Sequence, residues 1–304
     1  MKILIAYDGS ESAQNAIDDL KHAGLPANEV EATVLSVGEV RMRREPALNL
    51  EAALPIVAFA IEQTQDIVNY ARETAEFDAE EGMRRVQCIF PRWTVTPCAR
   101  LHSPATTILE IADSWKPDLI VMGSHGRGAL KRLFLGSVSL RVAAEARTSV
   151  RIAKRKIEAD DRAIILAFDG SNGARKAIHC LIQRQWPHPK HLHIVTVIDV
   201  AILATPEYFF LVGSDLEHYQ EEKETHIERG VRALKHEMRK HFEFVTTATP
   251  VGNPAHELLV EAKRIGADTI FIGSRGLSGF ERMLIGSVAH TVAANSDATV
   301  EIAR

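Results

Sequence analysis

The sequence predicts an α/β chain of two tandem open parallel five-stranded sheets, each flanked by helices. Three observations predict it. Short aliphatic runs alternate with longer amphipathic stretches along all 304 residues, as buried parallel strands joined by crossover helices require. The unit is written twice, Ile3-Leu-Ile-Ala-Tyr-Asp-Gly-Ser10 matching Ile164-Ile-Leu-Ala-Phe-Asp-Gly-Ser171 and Val150-Arg-Ile-Ala153 matching Val300-Glu-Ile-Ala303. Each copy also carries a glycine pattern of identical spacing, Gly123-x-x-Gly126 with Gly136-Ser137 and Gly273-x-x-Gly276 with Gly286-Ser287.

In the first copy, strands are expected at 2–7, 31–37, 94–101, 118–123 and 149–153, with helices near 11–23, 56–85, 104–115 and 138–146. In the second, strands are expected at 163–168, 191–197, 243–250, 268–273 and 298–302, with helices near 172–185, 215–241, 254–265 and 288–295. Ser103-Pro104 and Asn253-Pro254 place an N-cap residue before a first-turn proline, which suits a helix start. Because Ile3 aligns with Ile164 but Gly123 with Gly273, the first copy holds extra residues between its second strand and Pro104. That stretch includes Arg41-Met-Arg-Arg44 and Phe90-Pro-Arg-Trp93. Residues 1–153 form the first domain, 154–162 a charged linker and 163–304 the second domain.

Composition narrows the function classes. A content of 46% hydrophobic and 25% charged residues is that of an ordinary globular protein. A net charge of −4 gives no general attraction for nucleic acid or membrane, so a small-molecule or protein partner is expected. Cys88, Cys98 and Cys180 are odd in number and lack C-x-x-C spacing, which argues for a reducing compartment. The apolar N-terminal run is cut short by Asp8, and the run from Ala52 to Ile61 contains Pro55 and is too short to span a bilayer. A cytoplasmic protein is the expectation.

The glycine loops carry the chemistry. Each follows an apolar strand, Leu119 to Met122 or Thr269 to Ile272, and precedes a helix. A strand feeding a glycine loop and a helix N-terminus suits phosphate, because small residues let the backbone approach and the first-turn amides are unpaired. Asp8, Val37 and Gly123 all fall at strand C-termini, where one crevice at the switch in strand order would hold them. Asp8 and Asp169 are equally well read as turn and cap residues before the following helix.

With the paired glycine patterns, the Asp-Gly-Ser strand ends and the Gly-Ser-Val helix starts in view, the chain resembles the universal stress protein family in its tandem two-domain form. The resemblance implies a fold of the adenine nucleotide α-hydrolase type, with the two halves related by a pseudo-two-fold axis through their last strands. It implies binding of ATP, or of AMP or ADP in its place, with or without Mg. Carried onto this sequence, Asp8 and Asp169 are the acids near the nucleotide, suited to ribose or metal rather than phosphate. Val37 and Val197 offer backbone to adenine. Met122 and Ile272 precede the loops, Gly123, Gly126, Gly273 and Gly276 form them, and His125 and Arg275 lie within them as phosphate ligands or solvent-facing residues. Gly136-Ser137-Val138 and Gly286-Ser287-Val288 would bind phosphate oxygens. The chain departs from the family at His102, which stands where the second copy has Gly252. It departs also at Tyr7 and Phe168, bulky residues expected beside or inside the adenine pocket, and at Ser149 and Thr299, where proline is common. If one site alone is filled, the second is favoured.

Other patterns read as structural. His236 and His241 are five apart and do not share a helix face as a zinc-protease pair would. His188, His191 and His193 lack Cys or carboxylate companions, and Arg41 to Arg44 and Lys154 to Lys156 read as solvated surface. Neither a P-loop lysine motif nor a nucleophile elbow occurs. Three charge reversals between copies, Lys131/Glu281, Arg147/Asp297 and Arg151/Glu301, have two readings. Either surface charge drifted, or an intrachain pseudo-dimer places opposite charges where a homodimer would oppose like ones.

The functional expectation is an adenine-nucleotide-binding regulator or interaction module of the stress response. It would act on a protein partner of unknown identity through ordering of loops 127–135 and 277–285. A slow ATPase or phosphotransferase is the alternative, against which stands the absence of a loop lysine or a nameable general base. A structural oligomer with degenerate nucleotide sites is the third reading; the assembly expected is an intrachain pseudo-dimer, with a homodimer as the further option.

Overall fold

The protein is described from a computed structural model covering residues 1–40, 54–126, 135–154, 163–186, 190–199, 228–276 and 285–304, with residues 54–64 described by backbone alone. Expectations falling on Arg41 to Arg44, on Lys131 and Glu281, on most of the linker and of loops 127–135 and 277–285, on His188 and on the start of the 215–241 helix lie outside the described residues.

The first half runs β1 (Lys2–Ala6), α1 (Glu11–Asp19), a short 3-10 turn (Leu20–His22), β2 (Glu31–Gly38), α2 (Leu54–Ile89), β3 (Thr94–Leu101), α3 (Pro104–Trp115), β4 (Leu119–Gly123), α4 (Ser137–Glu145) and β5 (Ser149–Ala153). The second runs β6 (Ile164–Ala167), α5 (Asn172–Ile182), β7 (His191–Val195), α6 (228–238), β8 (Phe244–Ala248), α7 (Pro254–Ile265), β9 (Thr269–Gly273), α8 (Ser287–Asn295) and β10 (Thr299–Ala303). Strand β7 stops at Val195, short of the expected 197, and the chain rejoins the neighbouring segment at a lone bridge between Ile198 and Val251. Helix α2 extends beyond the expected 56–85 at both ends.

The two five-stranded units join edge to edge in one ten-stranded sheet of order β3-β2-β1-β4-β5-β10-β9-β6-β7-β8. Within each half every pairing is parallel, and β5 meets β10 antiparallel. Thus each half's otherwise exposed last strand is covered by the other's.

Strand alternation sorts the core into layers. Leu4, Ile120, Met122, Val150 and Ile152 pack with α3 and α4, and their counterparts Ile165, Ile270, Ile272, Val300 and Ile302 pack with α7 and α8. These form one continuous cluster across both halves, and α4 packs on α8. On the other face Ile3, Ile5 and Tyr7 pack under α1 and α2, and Ile164, Leu166 and Phe271 under α5 and α6, as two separate clusters.

A buried ion network divides those two clusters. Glu301 is the register partner of Arg151 in the β5–β10 pair, and both are 0% exposed. Arg151 Nη1 donates to Glu301 at 3.0 Å and Arg151 Nε to Asp19 at 2.5 Å, while Arg184 Nη2 donates to Glu301. Burial alone would depress the Arg151 guanidinium, but Asp19 and Glu301 outweigh it and push it up. Thr299 Oγ1 donates to Asp19 at 2.9 Å, and its pseudo-symmetric counterpart Ser149 Oγ meets Cys180 Sγ at 4.0 Å. The hydroxyls that replace proline in these last strands therefore tie β5 and β10 to α5 and α1. The expected Arg151–Glu301 pairing holds, in the interior rather than at the surface. Two first halves paired through β5 in this register would bring Arg151 against its own copy. The reversal at Arg147 and Asp297 resolves differently: Arg147 lines a cavity, and Asp297 acts on Lys154.

Candidate functional site

At the C-terminal end of β1 the chain must turn into α1, and Gly9 does so at φ +71°, matched by Gly170 at φ +81° after β6. These are left-handed values that glycine tolerates. Asp8 Oδ1 holds the turn by accepting from the Ser10 amide at 3.1 Å and the Ser10 hydroxyl at 2.6 Å. Ser10 in turn caps α1 by accepting from the Ala13 amide. In the second half Asp169 Oδ1 accepts from the Ser171 amide at 2.9 Å, and Ser171 caps α5 through the Ala174 amide. Each acid thus has a turn-holding role through one oxygen.

The other oxygen faces the glycine loop. A Cβ on Gly126 would lie 2.8 Å from Asp8 Oδ2, and one on Gly276 would lie 2.6 Å from Asp169 Oδ2. A Cβ on Gly123 would lie 2.6 Å from the backbone of Ser12, and one on Gly273 would overlap the backbone of Gly173. Each β4-type strand therefore passes its first helix at a distance a side chain would prevent, and each loop passes its acid so closely that a side chain would have to displace the carboxylate oxygen. The loop mouth is closed by the Gly136 amide donating to the Ser124 carbonyl at 2.7 Å, and by Gly286 to Ser274 at 2.7 Å.

Helices α4 and α8 begin at Gly136 and Gly286, N-caps without a side chain to bind the first-turn amides. Ser137 and Ser287 are exposed there, while Val138 and Val288 rest partly on the core. The amide dipoles of these first turns are directed at the space beside the loop, an arrangement suited to an anion. In the first half Ser139 Oγ also donates to the Gly123 carbonyl at 2.8 Å, a bond for which Ala289 has no equivalent.

Among the remaining residues singled out from the sequence, Val37 is the penultimate residue of β2 and Val197 lies just past β7, both partly buried against the core. Met122 and Ile272 point into the core, so only their backbone borders the crevice. His125 Nδ1 lies 2.8 Å from Ser124 Oγ, and its amide donates to Ser12. The Arg275 carbonyl accepts from the Ser171 hydroxyl at 3.2 Å.

Tyr7 and Phe168 do not border the crevice, contrary to expectation. Each follows the last residue of β1 or β6, where the backbone pairing still runs on, and faces the side of the sheet that lies under α2 or α5. Tyr7 is buried under α2 and donates to Glu81 at 2.7 Å, and Phe168 packs against the α5 cluster. Burial and the Glu81 hydrogen bond push the Tyr7 hydroxyl well above its ordinary pKa. His191 and His193 lie on β7, with Thr246 Oγ1 at 2.5 and 2.7 Å. Among the described residues no group of three His, Cys, Asp or Glu side chains could hold a metal ion.

The sequence reading missed Ser10 and Ser171 as caps, the Ser12–Ser124 contact, and the contribution of Asp19 and Arg184 to the buried network. Asp19 left one trace in the sequence: it stands in line with Ala16 on the apolar face of α1.

The sequence model described as the universal stress protein family matches residues 1–154 and again 162–304. Universal stress protein YxiE of Bacillus subtilis is 32% identical over 46% of this chain and 97% of its own length. A universal stress protein of Mycolicibacterium smegmatis is 26% identical over 82% of this chain and 81% of its own. Among solved structures, a universal stress protein from Archaeoglobus fulgidus superimposes with a TM-score of 0.64 at 20% identity, covering 100% of this chain and 98% of that one.

Proposed function

The chain belongs to the universal stress protein family, and from that premise we propose that it binds an adenine nucleotide at the glycine loop of each half. The observation that carries the reading is the glycine-lined approach to each acid. Gly126 runs past Asp8, and Gly276 past Asp169, so closely that a side chain would displace the carboxylate oxygen, beside a helix whose N-cap leaves its first amides to another acceptor. Phosphate oxygens would take the amides of Ser137–Val138 and Ser287–Val288 together with the serine hydroxyls. Asp8 and Asp169 would accept from ribose hydroxyls or hold a phosphate-bound magnesium ion. ATP is the ligand expected first, with ADP or AMP in its place.

The role that follows is regulatory. Nucleotide held at the loop mouth would alter the surface offered to a protein partner during stress. The reduced state of Cys88, Cys98 and Cys180 suits a cytoplasmic setting. No helix among the described residues is long and apolar enough to cross a membrane.

The test is chromatography of the small molecules released when freshly purified protein is denatured, followed by titration of emptied protein with ATP. Recovery of adenine nucleotide, lost in the Gly126→Val/Gly276→Val double variant, is the expected result. Protein that carries none and binds none at millimolar ATP overturns the reading.

A further inference from the structure

A cavity of about 610 Å³ opens beside the second glycine loop, where the two halves meet. Its volume falls in the range of roughly 300–1,000 Å³ typical of small-ligand sites. Four basic side chains line it: Lys176 of α5, Arg275 of the loop, Arg304 after β10, and Arg147, contributed by the first half just before β5. Among the described residues its lining includes no carboxylate side chain, and none of the four forms an ion pair. Such a concentration of positive charge is unusual in a chain whose net charge is −4.

The fold does not require it. At the equivalent positions around the first glycine loop the repeat places Asn15 for Lys176, His125 for Arg275, Lys154 for Arg304 and Asp297 for Arg147, with Glu11 for Asn172. One side of the pseudo-symmetric molecule is therefore basic and the other is not. The basic charges also repel one another: burial and then the like charge of Arg275 push Arg304 down to about 10. Two carbonyl oxygens, those of Thr148 and Ala143, accept from Arg304 and hold its guanidinium in place without neutralising it. An anion between Arg275 and Arg304 would remove that repulsion.

We infer that this cavity is a binding site for a small, multiply charged phosphate compound, built between the two halves and present on one side of the molecule only. Arginine forks match phosphate oxygens, and several cations converging on a half-enclosed space favour a ligand with more than one phosphate group. The cavity shares Ser171, Arg275 and Gly276 with the crevice beside Asp169, and adds Lys176, Arg304 and the first half's Arg147 to it. The inference rests on the second-half crevice of the nucleotide reading, but its test is separate, because the probe contains no nucleoside and Arg147 and Lys176 lie outside the residues assigned to the nucleotide.

The probe is inorganic tripolyphosphate, titrated calorimetrically into the full chain at low and moderate salt. One tripolyphosphate per chain is expected, with affinity falling as salt rises. Arg147→Ala and Lys176→Ala each remove one exposed cation and are expected to weaken binding roughly tenfold, the effect of losing one charge-assisted hydrogen bond. Arg175→Ala, an exposed cation on the same helix outside the cavity, is expected to leave binding unchanged. Thermal melts of all three variants within the spread of the parent show that the fold is kept. ATP added to the saturated chain separates two sources of the same chemistry: displacement assigns the cavity to a nucleotide's phosphate tail, and simultaneous binding to a separate polyphosphate. Absence of binding, or equal weakening by Arg175→Ala and Arg147→Ala, overturns the inference.

Discussion

Replacing Arg151 by methionine keeps most of its aliphatic stem and removes the charge that lies between carboxylates of both halves. In the native chain two cations, Arg151 and Arg184, face two anions, Asp19 and Glu301, and all are nearly or fully withdrawn from water. Without Arg151, Asp19 keeps the Thr299 hydroxyl and Glu301 keeps Arg184, leaving one buried negative charge in excess. Deleting one partner of a buried pair typically costs about 3–5 kcal/mol. At roughly 2–4 °C per kcal/mol for a cooperative unit of 150–250 residues, Arg151→Met is expected to lower Tm by about 6–20 °C. Calorimetry of Arg151→Met, Glu301→Gln and the double variant completes a cycle. The double variant retains one anion and one cation, so its loss should fall short of the sum by about 1–3 kcal/mol. A single-variant shift under about 2 °C, or additive losses, would show that the network does not join the halves as argued.

Three further outcomes are expected. Gly126→Val and Gly276→Val should each abolish one equivalent of ATP binding while leaving the other, read by titration, because each added side chain meets one acid. Gly173→Ala should lower stability by about 1–3 kcal/mol in urea unfolding, since its Cβ would overlap the Arg275 carbonyl. Burial holds His193 below its ordinary pKa, partly offset by Glu261, so the folded state takes its proton later than the unfolded state. Stability from this group is therefore complete above about pH 6.5 and is lost as pH falls through the lower folded pKa. A His193→Gln variant should show a shallower fall of Tm between about pH 7 and 5 than the parent.

Much of the site was legible because it is built from local backbone rules. Asp8-Gly9-Ser10 reads as a turn and cap, and the structure adds only that Asp8 holds the turn while Ser10 caps the helix. Gly123 and Gly126 stand out by spacing, yet the groups they approach so closely, the Ser12 backbone and the Asp8 carboxylate, lie over a hundred residues away. Tyr7 was misplaced because adjacency to Asp8 was read as nearness, whereas the alternation of β1 carries on to Tyr7 and turns it under α2. The short end of β7 escaped notice because the apolar run continues through Val197 and Ile198 while the paired strand leaves at Ala248.

Local pattern was enough to establish the α/β class, the doubled unit and the two glycine loops, because periodicity, turn residues and glycine spacing act within one strand–loop–helix. Tertiary structure alone decided that the two sheets become one, that Arg151 and Glu301 are buried rather than exposed, and that Arg147 crosses to the other half's loop. Those outcomes depend on the antiparallel β5–β10 register, which places residues 150 positions apart side by side. The energy of such contacts comes from charges withdrawn from water together, a property that neither segment has before they meet.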